Sequence, residues 1–197
     1  MKSPFDARPI VVAIAGPNGA GKTTFFGSRL QAAGLRFVNA DAMAREVGVD
    51  AYQAAELAGK VRGALLEQRE SFIFETVFSD PVGEKVEFLQ RAGRQGYTVV
   101  LCFIGLDGPE RSEERVAARV MQGGHDVPTA KLRARYGRTL RNLARAVELL
   151  PHVLIYDNSD LADPFREVAV FEVGKRVDRV GPLPGWLELG RRGARRS

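Results

Sequence analysis

The chain has 197 residues, 45% of them hydrophobic and 27% charged, which suits one globular domain with a substantial core. Its formal charge of +5 is concentrated at one end. Arg191, Arg192, Arg195 and Arg196 carry four of the five charges, so the body is near neutral, which argues against a dispersed electrostatic footprint for nucleic acid over the fold.

Three further classes are set aside by the same reading. Cys102 is the only cysteine and sits in the apolar run Thr98 to Ile104, so a disulfide framework is impossible and a packed thiol is expected. Met1 to Pro9 has no apolar stretch of signal-peptide length, and no segment reaches the unbroken hydrophobic length of a membrane span. The expected compartment is a reducing cytoplasm, with no membrane partner. The tail, residues 190–197, is expected to be a solvated, disordered end.

In chain order, apolar runs of strand length occur at Ile10 to Ala15, Leu35 to Val38, Ser71 to Glu75, Tyr97 to Ile104 and Val153 to Tyr156. Helical patterns separate them: Lys22 to Ala33, Ala51 to Arg69, Pro81 to Arg94, Pro109 to Gln122 and Thr129 to Leu150. Leu132, Tyr136, Leu140, Leu143 and Val147 form an apolar stripe on the last. Strands alternating with helices predict an α/β fold with a parallel sheet flanked by helices, as in P-loop kinases. After Asp157, Val168 to Val173 and Arg176 to Val180 around Gly174 predict a closing C-terminal β-hairpin. No linker divides the chain, so residues 1–197 read as one domain.

The first strand runs into Gly16-Pro17-Asn18-Gly19-Ala20-Gly21-Lys22-Thr23, with Thr24 following. Glycine, four residues, then Gly-Lys-Thr between a strand and a helix is the phosphate-binding P-loop. Its glycines let backbone N–H groups converge on phosphate oxygens, and the helix N-terminus adds partial positive charge. In this role Lys22 reaches the β- and γ-phosphates of ATP, and the Thr23 hydroxyl ligates Mg2+. The chain lacks the signature of transporter ATPases and the base-recognition segment of GTPases, which leaves a kinase as the leading reading.

Three acidic residues stand just beyond strands, at the sheet edge that holds ligands: Asp41, Glu75 and Asp107. A kinase needs a carboxylate to take the acceptor hydroxyl's proton and can use another to hold magnesium. Asp41 is the chosen base, with a helix N-cap before Ala42 to Val47 as its competing role. Glu75, followed by Thr76, ends an apolar run and therefore needs a partner or ligand. Asp107 reads as a turn residue and helix start.

Arg111, Arg115 and Arg119 share one helical face, followed by Gly123-Gly124-His125-Asp126-Val127-Pro128 and a second Arg-rich helix. This predicts a lid over about 109–140, whose guanidinium groups stabilise charge on the transferred phosphoryl group and exclude water. The competing reading is a pair of solvated, charge-balanced faces. On the second helix Lys131, Arg135, Arg138 and Arg145 fall near a common polar face.

With these residues placed, the sequence resembles the zeta toxin family of P-loop kinases over most of residues 9–159. The likeness rests on Ala15 to Thr23, Asn39-Ala40-Asp41, Phe74-Glu75-Thr76 and the run Arg119 to Pro128. It implies transfer of the ATP γ-phosphate to a hydroxyl of a nucleotide sugar, typically UDP-N-acetylglucosamine, and an antitoxin protein as partner. It also implies Asp41 as the catalytic aspartate, Glu75 and Thr76 as substrate contacts and Arg119 as a lid arginine. His125 stands close to where larger members carry a second lid arginine, so either His125 or an arginine such as Arg135 supplies that contact. Asn158 resembles the position against which the adenine base lies. The rival readings are a nucleic-acid-linked P-loop ATPase using the basic tail and an interaction module controlled by ATP.

Overall fold

A computed structural model describes residues 3–121, 127–177 and 182–187. Five parallel strands form the body of one sheet: β1 (Ile10–Ala15), β2 (Arg36–Val38), β3 (Phe72–Thr76), β4 (Thr98–Gly105) and β5 (His152–Asp157). Two antiparallel strands, β6 (Arg166–Glu172) and β7 (Lys175–Arg176), extend it, giving the order β2-β3-β1-β4-β5-β6-β7. The helices are α1 (Lys22–Phe25), α2 (Ala40–Val47), α3 (Ala51–Glu67), α4 (Glu84–Arg94), α5 (Pro109–Met121) and α6 (Thr129–Leu149). This is the expected mainly parallel α/β fold.

The central strands are apolar along their whole length because both faces are covered. Val11, Ala13 and Ala15 of β1 point into one core layer, with Phe72, Phe74, Leu101 and Phe103. Ile10, Val12 and Ile14 point into the other, with Phe25, Val100, Cys102 and Ile104. Each such side chain, buried outright, contributes roughly 1.5–3 kcal/mol relative to exposure. Burial pushes the Cys102 thiol up to about 12, in keeping with a packed, unreactive role.

Several boundaries differ from the sequence expectation for identifiable reasons. The helix expected over Lys22 to Ala33 is α-helical only through Phe25. It then widens into a π turn (Phe26–Leu30) and tightens into a 3-10 turn (Gln31–Ala33), ending at left-handed Gly34. Helix α3 stops at Glu67 because Arg69 takes a left-handed conformation, φ 56°. Helix α4 starts at Glu84, three residues later than expected, behind Gly83 at φ 81°. The hairpin forms around Val173 and Gly174, but its second described strand is only two residues long, and residues 178–180 lie outside the description. The sheet therefore tapers, from eight residues at β4 to three at β2 and two at β7.

Strand order places the loop after β1 at the point where the chain's connections reverse. β1 pairs with β3 on one side and β4 on the other, and in open parallel sheets a crevice opens at that switch point.

Candidate active site

The phosphate loop is built from β1, its turn and the start of α1. Gly16 passes so close to β4 that a Cβ would stand 2.2 Å from the Ile104 carbonyl oxygen, so no other residue fits. Gly21 heads α1 at φ 85°, a left-handed conformation that glycine adopts without steric cost.

Lys22 is 6% exposed, and its Nζ donates to the Gly16 and Pro17 carbonyls at 3.1 and 3.0 Å. Burial lowers its pKa from the usual lysine value; Glu75 and Asp41 oppose that shift and Arg119 and Arg135 add to it. The Thr23 hydroxyl donates to Glu75 Oε2 at 2.8 Å, and Asn39 Nδ2 donates to the same oxygen at 2.9 Å. Glu75 Oε1 stands 3.9 Å from Lys22 Nζ. The partner that a charge at the end of β3 requires is thus the phosphate loop itself. Thr24 is exposed beside Thr23.

The loop is pinned from two sides. Asn158, 4% exposed, donates through Nδ2 to the Ala20 carbonyl at 2.9 Å and accepts the Phe165 N–H at 3.3 Å. Its side-chain amide thus braces the loop against the β5–β6 connection. On the other side Ser112 of α5 is buried and its hydroxyl donates to the Asn18 carbonyl at 2.6 Å.

Helix α5 is consequently not an independent flap along its whole length. Its three spaced arginines part company. Arg111 pairs with Asp107 at 3.2 Å, and Arg115 donates to the Asn158 carbonyl at 2.6 Å. Arg119 alone of the three lines the large cavity beyond the loop. In α6, Arg138 and Arg145 bind the Ser79 and Val82 carbonyls, whereas Lys131 and Arg135 line the cavity. Residues 122–126, and with them His125, lie outside the described residues, as does the tail 190–197.

That cavity measures about 570 Å³, enough for a small metabolite, and runs from Asn18 and Glu75 to helices α2, α3 and α6. Asp41, Glu75, Thr76, Arg119 and Arg135 all line it, so five residues singled out along the sequence meet in one place. Thr76 spends its hydroxyl oxygen on the Phe78 N–H at 3.0 Å, fixing the turn after β3, and its proton is still available to donate. Asp107 lies apart, against Arg111 and a second cavity.

One competing role for Asp41 falls away. The N-cap of α2 is Asn39, whose Oδ1 accepts the Ala42 N–H at 2.9 Å, and Asp41 is the second helical residue, exposed at the cavity wall. Asn39 therefore caps with its oxygen and holds Glu75 with its nitrogen. Its position just after β2 and three residues before Ala42 was the available signal. Arg62 of α3 also lines the cavity, although it shares the buried helix face with Ala54 and Ala58. A lone charge at the i+4 and i+8 positions of an apolar stripe was its signal.

Residues that could hold Mg2+ fit the group. The Thr23 hydroxyl and the Glu75 carboxylate are hard oxygen donors 2.8 Å apart at the head of α1. No cluster of three or more His, Cys, Asp or Glu side chains suited to a metal occurs among the described residues. That composition suits an ion held mainly by substrate phosphates rather than by a protein cage.

Comparison with known proteins bears on the family and the fold. The family model described as Zeta toxin matches residues 39–167, a stretch that holds Asp41, Glu75 and Arg119 but begins after the phosphate loop. No curated protein matches. Among solved structures, the native AvrRxo1-ORF1:-ORF2 complex is similar at a TM-score of 0.71 and 16% identity, over 97% of this chain and 66% of that one. The same complex with ATP gives 0.69 and 18%, over 95% and 64%. The PezAT chromosomal toxin-antitoxin system of Streptococcus pneumoniae gives 0.57 and 16%, over 94% and 85%. The chain spans under two thirds of the length of the AvrRxo1-ORF1 structures.

Proposed function

The chain belongs to the zeta toxin family and has a P-loop kinase fold, and from that premise we propose that it transfers the γ-phosphate of ATP to a hydroxyl of a nucleotide sugar or similar metabolite. The observation that carries the reading is the junction of two half-sites. The phosphate loop and the cavity share Glu75, which bonds Thr23 on one side and lines the cavity on the other.

In this reading the backbone N–H groups of Gly16 to Thr23 cradle the phosphates of ATP. Lys22 leaves its two carbonyl partners for the β- and γ-phosphate oxygens, a short swing because it already lies across the loop. Thr23 and Glu75 would hold Mg2+, which when bound neutralises charge on the β- and γ-phosphate oxygens. Asp41 takes the proton of the acceptor hydroxyl as its oxygen attacks phosphorus. Arg119 and Arg135, at the cavity wall, stabilise the charge spread over the equatorial oxygens. The neighbouring structure with ATP supports ATP as the donor. UDP-N-acetylglucosamine is the first acceptor to try, and a protein antitoxin is the partner that the family implies. No helix among the described residues is long and apolar enough to cross a membrane.

The test is ADP release measured against a panel of sugar nucleotides and free nucleotides, with Lys22→Ala as control. The expected result is acceptor-dependent release by the wild type, reduced roughly 10²- to 10³-fold in a folded Lys22→Ala variant, on the scale of losing one preorganised charge contact. Near-normal turnover by that variant would end the kinase reading.

A further inference from the structure

Arg62 is 7% exposed and lies on the apolar stripe of α3, yet it lines the cavity. Its guanidinium carbon stands 5.1 Å from the ring centroid of Phe74 and 5.8 Å from that of Phe88. Aromatic faces of this kind hold a guanidinium while leaving its N–H edge open. At Nε that edge is not matched within the protein. Nε is buried with no hydrogen-bond partner, and Arg62 makes no salt bridge among the described residues. Glu84, whose charge it feels, is spent on Lys85 at 2.9 Å. A buried N–H on a cation without an acceptor is costly, and one beside a cavity calls for a water, an ion or a ligand to complete it.

The surroundings suit such an oxyanion. Basic side chains outnumber carboxylates five to three in the cavity wall, and Lys85 stands in the same wall as Arg62. Of the three carboxylates, Glu75 is already bonded to Thr23 and Asn39, and Asp50 is the N-cap of α3.

Resting on the kinase reading, we propose that Arg62 is an acceptor-recognition residue. It binds an anionic oxygen group of the acceptor, phosphate or carboxylate, at the α3 side of the cavity, where Arg62 rests on Phe74 and Phe88. The acceptor would then be held by its anion at α3 while its hydroxyl reaches Asp41. A neutral sugar or polyol would lack the group that completes the site. The only role left to Arg62 otherwise is to fill space against the two rings, and methionine would do that equally well.

The experiment uses the full chain saturated with Mg-AMP-PNP, so that the phosphate loop is filled, and titrates inorganic phosphate and malonate separately. Saturation is checked first by its own melting shift; absence of that shift counts against the kinase reading, not against Arg62. The expected outcome is a phosphate- or malonate-dependent rise in Tm for the wild type, with affinity reduced at least about tenfold in Arg62→Met. Arg62→Met should melt no lower than the wild type before anion is added. Phosphate acting alone identifies a phosphorylated acceptor, and malonate acting alone a carboxylated one. Equal anion affinity in wild type and Arg62→Met, or no binding of either anion to the wild type, overturns the proposal. Should Arg62→Met fail to fold, the Arg62 Nε–H resonance of the wild type decides the matter. It must shift on adding the anion, and an unmoved signal rejects the site whatever occupies the phosphate loop.

Discussion

The two ends of the cavity differ in how their polar groups are satisfied. At the phosphate loop the polar side chains Lys22, Thr23, Asn39, Glu75, Ser112 and Asn158 are hydrogen-bonded to one another or to backbone carbonyls, and among the described residues the one buried oxygen left over there is the uncharged Asn18 Oδ1. At the α3 end, Arg62 is buried against aromatic rings and its Nε has no partner. The first end is preorganised, so a ligand there exchanges one set of contacts for another. The second holds an unmet charge, so a ligand there supplies contacts that the fold lacks. Substitutions at the first should therefore act mainly on the rate of chemistry or on stability, and those at the second mainly on which acceptor is held.

The largest expected effect is at Asp41, which lines the same cavity. Asp41→Asn should lose roughly 10²- to 10⁴-fold in turnover with ATP affinity unchanged, the scale of a removed general base. Because Asn39 is the cap, Asp41→Ala should cost no cap; it should lower stability by only about 0.3–1 kcal/mol, the value of an acid in the first turn of a helix. Kinetics and melting of both variants check this, and an active Asp41→Asn enzyme would move the base to Glu75.

Arg119→Ala should be smaller, a fall in kcat exceeding any rise in KM, since a cation aimed at the transferred group acts on charge developed in the transition state. A rise in KM alone would assign Arg119 to the recognition end instead.

Asn39→Ala should show in stability first, costing about 0.5–2 kcal/mol for the lost cap. It also frees Glu75 from one of its two hydrogen-bond donors. Asn39→Asp keeps the cap but replaces that donor by a second carboxylate, so comparing the two by melting separates capping from the hold on Glu75.

The smallest effect is in pH. Burial lowers the Lys22 pKa, so its charge is lost on the alkaline side earlier than for an exposed lysine. The sign follows directly: with a folded pKa below the unfolded one, the cost of burying the cation is present at neutral pH and relieved as pH rises through the folded value. ATP affinity should accordingly weaken as pH rises toward 10.5, while Lys22→Arg should flatten that limb.

Much of this was legible in the sequence. A glycine-rich motif after a buried strand fixes a phosphate loop because few other backbones can approach Ile104 and turn left-handed at Gly21. Alternation of apolar runs with helical stripes fixes the parallel sheet because both faces of β1 and β4 must be covered. What did not show was the distribution of arginines. Spacing put Arg111, Arg115 and Arg119 on one face, but Asp107 and the Asn158 carbonyl, neither visible from helix periodicity, claim the first two. Asn158 was expected at a base, and what the sequence did not show is the bond from its amide to the Ala20 carbonyl, 138 residues away along the chain. Arg62 went unremarked because its helix reads as ordinary core packing until Phe74 and Phe88 are seen beneath it.

The tapered sheet has a consequence for how this protein meets other chains. A strand at the margin of a sheet offers open N–H and C=O groups to any passing chain, and long flat margins template aggregation. Here β2 presents only three residues, and β7 presents two, both basic. At the β2 margin the ladder is too short to recruit a foreign strand, so a partner meeting that side would do so through side-chain surfaces, where shape and charge can discriminate between one protein and another.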